Sequence, residues 1–86
     1  MIIEIDELEY IKKKTAEECC ELSVALMQSV NKPKLKNTKQ VEDEIADVLM
    51  WLRQLSMYYD NQYILNRISE KKQIYFKDEK IQHNNI

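Results

Sequence analysis

Glu18 and Glu21 stand three residues apart in the stretch TAEECCEL (15–22), and Glu44 and Asp47 repeat that spacing in VEDEIADVL (41–49). On a helix, residues three apart share one side, one turn from each other, so each pair points a single way. Four carboxylates gathered at one place repel unless something neutralises them. A hard divalent cation with oxygen ligands does this, and Mg²⁺ is the usual choice where phosphate oxygens complete the shell. Iron fits less well, because di-iron bundles use Glu-x-x-His pairs and the single histidine is His83, near the C-terminus. Zinc lacks its usual histidine and cysteine set. The plainer alternative is a solvated acidic helix face. Against it, these acids border apolar positions: Glu18 adjoins Cys19 and lies one turn before Leu22, and Asp47 adjoins Val48. Nor do they have lysines four residues on, since Glu18, Glu21, Glu44 and Asp47 face Leu22, Ala25, Val48 and Trp51.

The elements that would position the four acids are helices. The sequence predicts a first helix from about Ile5 to Val30, with Thr15 as the place for a bend. Its apolar stripe is Leu8, Ile11, Thr15, Cys19, Leu22, Leu26 and Val30, widened by Ala16, Cys20 and Met27. Pro33 ends it by pushing Lys32 out of helical geometry. A second helix is expected from Thr38, capped by Asn37 or Thr38, with the stripe Val41, Ile45, Val48, Leu52, Leu55 and Tyr59. Asp60 and Asn61 break that pattern and offer a cap for a third helix, from about Gln62 to Lys80, with Ile64, Leu65, Ile68, Tyr75 and Phe76 as buried positions. The link between the first two helices is too short for anything but an antiparallel hairpin. Glu18 and Glu21 then lie roughly 15 Å before the first helix ends, and Glu44 and Asp47 roughly 10 Å into the second. A slight tilt brings the pairs level across one groove.

The 86-residue chain is expected to form one helical domain over residues 1–80, with 81–86 as a loose tail. It contains no glycine and one proline, which removes the turns that hairpin strands and phosphate-cradling loops need, so the fold class is all-α. A chain this short buries only a little over ~60% of its unfolded surface, and adjacent Cys19 and Cys20 cannot readily pair with each other, so association with a second copy is the expected source of further core. Both cysteines read as small buried apolar residues. A net charge of −2 gives no electrostatic reason for a nucleic-acid or membrane partner. No run of about 20 apolar residues and no basic-then-apolar leader appears, so a cytoplasmic protein is expected.

The sequence EECCE (17–21) followed by EIAD (44–47) resembles the EExxE…ExxD signature of the MazG-like, all-α nucleoside triphosphate pyrophosphohydrolases, most closely their compact phage and bacterial members. The likeness runs from about Lys13 to Lys77, and its flanks, EECCELSVAL and EDEIADVLMWLRQL, look like that family's metal-bearing helices. It implies hydrolysis of a nucleoside triphosphate to monophosphate and pyrophosphate with Mg²⁺, for which Mn²⁺ can substitute. It also implies Glu18, Glu21, Glu44 and Asp47 as metal ligands, and Glu17 as the residue that orients or deprotonates the attacking water. The family's phosphate-contacting lysine would fall on Lys71 or Lys72; its following arginine has no counterpart, because Tyr75 and Phe76 stand there. Lys36, in the lysine-rich link, and Trp51, one turn after Asp47, are further substrate-binding candidates; packing in a dimer core is the alternative for Trp51. The expected assembly is a homodimer or homotetramer in which helical hairpins, each with a C-terminal helix, form a four-helix-type bundle. Two other readings stay open: an enzyme like phosphoribosyl-ATP pyrophosphatase, and a non-catalytic helical dimerisation module.

Overall fold

The computed structural model describes residues 2–76. They form three helices and one 3₁₀ turn, with no strand among them: α1 at Ile2–Asn31, the turn at Pro33–Leu35, α2 at Thr38–Ser56 and α3 at Asn61–Tyr75. Helix α1 runs without a break through Thr15, whose Oγ1 donates back to the Ile11 carbonyl (2.7 Å). Nothing inside its 30 residues interrupts the backbone ladder, and Pro33 stops it as expected: Lys32 is turned out to φ −132°, ψ 69°. Lys36 then takes the left-handed region (φ 54°, ψ 53°). Glycine fills such positions at least cost, and a chain without glycine uses lysine there at about 1–2 kcal/mol.

Helices α1 and α2 pair as an antiparallel hairpin. Tyr10 and Trp51 meet edge-on, the Thr15 hydroxyl also lies 3.5 Å from the Trp51 carbonyl, and the Asn37 amide donates to the Ala25 carbonyl (3.1 Å). Partner numbers thus fall along α2 as they rise along α1, as antiparallel pairing requires. Asn37 stands at the α2 N-cap position, but its side chain caps nothing; it ties the link to α1 instead. The Asp60 cap is present, accepting from the Tyr63 amide (3.0 Å). Helix α3 ends at Tyr75, five residues short of the expected Lys80; the tail at 81–86 lies outside the described residues.

The face of the hairpin differs from the sequence expectation. The seam runs through Ile11, Thr15, Glu18, Leu22 and Ala25 on α1, against Val41, Glu44, Val48, Trp51 and Leu55 on α2, all buried or half-buried; Leu8, Lys14, Gln28 and Ser56 are half-buried as well. Relative to the apolar stripes, both helices are turned by roughly 40–50°, about half a residue position at 3.6 residues per turn, and the turn is toward the acids. Leu26, Val30, Ile45 and Leu52 are therefore exposed, and so are Cys19 and Cys20, contrary to the expectation that both are buried. Every described residue of α3 is exposed as well, including Ile64, Leu65, Ile68 and Tyr75, and so is Phe76 just past its end. The reason is geometric: two helices make one layer, and a helix meeting one neighbour can cover only part of its stripe. The molecule is 15 Å across its thinnest direction, and its radius of gyration is 16.0 Å, where a compact domain of this length has about 11–12 Å. Among the described residues only Ile11, Ala25 and Val48 form the buried apolar core.

Candidate metal centre

The rotation of the helices has a chemical result. It carries Glu18 from the edge of the predicted stripe into the seam, where the residue is only 8% exposed. Across the seam, carboxylate oxygens of Glu18, Glu44 and Asp47 lie within 4.8 Å of one another; along α1, those of Glu17, Glu18 and Glu21 do the same. Glu18 belongs to both groups. All four acids expected to converge are therefore at the mouth of one groove, Glu18 at its floor, Glu44 half-buried, Glu21 and Asp47 exposed.

Each acid is placed by ordinary helix geometry. Glu18 sits one turn after Thr15 and one before Leu22, both on the inner face, while Glu44 precedes the buried Val48 by one turn. Burial raises the Glu18 pKa above its ordinary value; the charges of Glu21 and Asp47 raise it further, as does the Asp47 carboxylate, to which a protonated Glu18 can donate. Glu44 is raised likewise, first by burial and then by Glu21, Asp47 and Asp43. Among the described residues, no ion pair involves Glu18, Glu21, Glu44 or Asp47; the lysines and arginine that do pair bind Glu17, Glu42 and Glu70.

These residues fit a magnesium ion. All donors are hard oxygens, and Mg²⁺ at ~2.1 Å from its ligands spaces them by about 3–4.2 Å in an octahedron. Oxygens within 4.8 Å of one another need only a small contraction to reach that spacing. Glu17, at the edge of the cluster, is also held by a cation: its Oε1 accepts from Lys14 Nζ at 2.8 Å, and the same Nζ lies 6.0 Å from the centre of the Trp51 ring. Lys14 escaped the sequence reading, although its place three residues before Glu17 was the available signal. Lys36 and α3's Lys71 and Lys72 are exposed, and none of them contributes to the electrostatics of Glu18 or Glu44. The structure brings the four metal-ligand candidates together, sets Trp51 and Glu17 beside them, and leaves those three lysines apart.

The raised pKa values make a signed prediction. A carboxyl held above its ordinary value of 4.5 binds its proton more tightly in the folded chain than in the unfolded one. The metal-free fold is then favoured at and below that range and loses this stabilisation as pH rises through the raised values. Thermal melts in EDTA from about pH 4.5 to about 7.5 should show that decline, and Glu18→Gln should flatten it. A wild-type slope identical to that of the variant would mean that Glu18 is ordinarily ionised in the fold.

Compared with family models, with curated proteins and with solved structures, the chain matches none.

Proposed function

We propose that this chain is a Mg²⁺-dependent nucleoside triphosphate pyrophosphohydrolase of the MazG-like kind, acting as a dimer. The observation that carries the reading is the buried Glu18, in no ion pair among the described residues, facing Glu44 and Asp47 across the hairpin seam. A carboxylate in that position destabilises the fold unless a cation occupies the groove, which gives the arrangement a use that a solvated acidic face lacks.

Glu18, Glu21, Glu44 and Asp47 would hold the ion. The bound ion supplies charge neutralisation at the phosphates, which an attack on the α-phosphorus requires. Glu17 lies beside the cluster and accepts the proton of the attacking water; the water oxygen bonds to the α-phosphorus, and pyrophosphate leaves with the bond to the β-phosphate oxygen. Lys14 keeps the Glu17 carboxylate in place until a phosphate oxygen competes for the ammonium. Lys71, Lys72 and Lys36 serve the phosphates through the assembly, since every described residue of α3 is exposed. The same assembly covers the exposed apolar side of the hairpin, forming the four-helix-type bundle.

The test is a panel of ribo- and deoxyribonucleoside triphosphates with Mg²⁺, the products separated into monophosphate and pyrophosphate, with Glu44→Gln alongside. Monophosphate and pyrophosphate are expected from the wild type, and the variant should lose turnover while keeping its helical spectrum. The exposed apolar face favours a second reading, a non-catalytic dimerisation module. A melting temperature unmoved by millimolar Mg²⁺, together with no cleavage of any triphosphate, would decide for it.

A further inference from the structure

The hairpin has two unlike faces divided by one seam. Around α1, at 3.6 residues per turn, Glu21 lies roughly 60° to one side of Glu18, while Cys19 and Leu26 lie roughly 80–100° to the other. Around α2, Asp47 likewise stands roughly 100° to one side of the buried Val48, and Ile45, Leu49 and Leu52 roughly 40–100° to the other. The acids of the two helices share a face, since carboxylate oxygens of Glu18, Glu44 and Asp47 lie within 4.8 Å of one another and the charge of Glu21 reaches Glu44. The opposite face is apolar and exposed along Cys19, Leu26, Ile45, Leu49 and Leu52. Neither face belongs to one helix, so both are whole only while the seam is shut. Little holds it. Among the described residues its buried apolar side chains are Ile11, Ala25 and Val48, and the buried Glu18 stands among them in no ion pair, with Glu44 and Asp47 opposite.

We infer that a divalent cation in the acidic groove and a second copy of the chain on the apolar face strengthen each other's binding, because each closes the same seam. The inference rests on the reading of the groove as a metal site and of the apolar face as a dimer interface. It adds regulation to that reading: free Mg²⁺ sets how much of the chain is paired. Carboxylates this close across a seam push α1 and α2 apart, and a cation between them reverses the push. It meets all four acids only when the helices are level and shut. A second copy, for its part, buries the full apolar face only when Cys19 and Leu26 lie against Ile45, Leu49 and Leu52. Two ligands that prefer one state of a shared element are coupled, and by linkage each raises the other's affinity by the same factor. The groove opens on the face away from the interface, so the ion need not touch the second copy.

Sedimentation equilibrium at about pH 8, where carboxyl groups are ionised, gives the dimer dissociation constant in EDTA and in saturating Mg²⁺ at matched ionic strength. The ion should lower that constant at least about tenfold, within the span of such couplings. Glu18→Gln removes the push without metal, so its constant in EDTA should come within about threefold of the wild type's in Mg²⁺ and ignore the ion. The reciprocal arm uses Leu49→Asp, whose change lies on the far face, with an unchanged helical spectrum as the check of its fold. By titration calorimetry it should bind Mg²⁺ at least about tenfold more weakly than dimeric wild type. An added carboxylate would by charge alone favour the ion, so the expected effect has the opposite sign. Equal dimer constants with and without Mg²⁺, or equal Mg²⁺ affinity of wild type and Leu49→Asp, would overturn the inference and leave the ion in its groove. A chain monomeric in both buffers would overturn it as well. Absence of any Mg²⁺ binding would sink the metal reading and the inference together. Triphosphate cleavage that persists beside an unmoved dimer constant spares the reaction and sinks only the coupling.

Discussion

Glu18→Gln should raise the melting temperature of the metal-free protein while lowering Mg²⁺-dependent turnover by at least a hundredfold. The two effects have one cause. Glu18 is the acid shared by both carboxylate groups and the only one of the four that is more than nine-tenths buried. Replacing it with an amide of nearly equal volume removes a desolvated charge. It also supplies a donor that the Asp47 carboxylate can accept, so no buried polar group is orphaned. Without metal, the fold gains. With metal, the groove loses the ligand that joins its two halves, and loss of a group that holds or orients an ion costs about 10–100-fold even outside the coordination shell. The measurement is a pair of melts, in EDTA and in saturating Mg²⁺, beside single-turnover cleavage. Wild type should be stabilised by the ion and the variant should not. Equal Mg²⁺ stabilisation of both proteins would place the ion elsewhere, whatever the activity. Glu17→Gln is the control, since it should keep the Mg²⁺ stabilisation and lose only the rate.

Leu49→Asp should split the proposed dimer. Leu49 is 52% exposed in the single chain and lies on the apolar side of α2 with Ile45 and Leu52. Were that side simply solvated, a new aspartate would change stability by no more than about 0.5 kcal/mol. Buried between two copies, it introduces an unpaired charge that costs several kcal/mol, and a two-fold axis makes the substitution count twice. At 1.4 kcal/mol per tenfold, about 3 kcal/mol is more than a hundredfold in the dissociation constant. Sedimentation equilibrium reads this directly. The wild-type melting temperature should rise with protein concentration, and that of the variant should not. A monomeric wild type with a concentration-independent melt would leave the hairpin to stand alone on Ile11, Ala25 and Val48, and would remove the dimer from the proposal.

Much of the hairpin was legible in the residues. The absence of glycine, the single Pro33 and two long periodic stretches fixed the helices and their antiparallel pairing. The three-residue spacing of the acids, set against the length of the link, was enough to bring Glu18, Glu44 and Asp47 level. The rotation of the helices was not legible, for a physical reason. An apolar stripe marks all the surface a helix buries in its final assembly, and its centre points between two neighbours when there are two. Cys19, Leu26, Ile45 and Leu52 therefore belong to the apolar stripes and lie outside the hairpin seam. Helix α3 failed in the same way: its apolar residues signal burial, and nothing in a single chain says against what. The roles of Tyr10 and Lys14 were missed because they gain meaning only once Trp51 stands opposite them, 41 and 37 positions along the chain.

The six residues from Lys32 to Asn37 that join α1 to α2 also set a timescale. Closing so short a loop costs little chain entropy, and helical hairpins with such local contacts fold in microseconds to milliseconds. If the proposed dimer forms, the groove that gathers the acids should take shape early, on one chain, before it meets another. Joining two such hairpins is a second-order event whose speed depends on how often chains meet. A newly made chain in dilute conditions would then pass through an interval with its acidic groove already assembled and its oily side still bare, when self-recognition and clumping compete for the same surface.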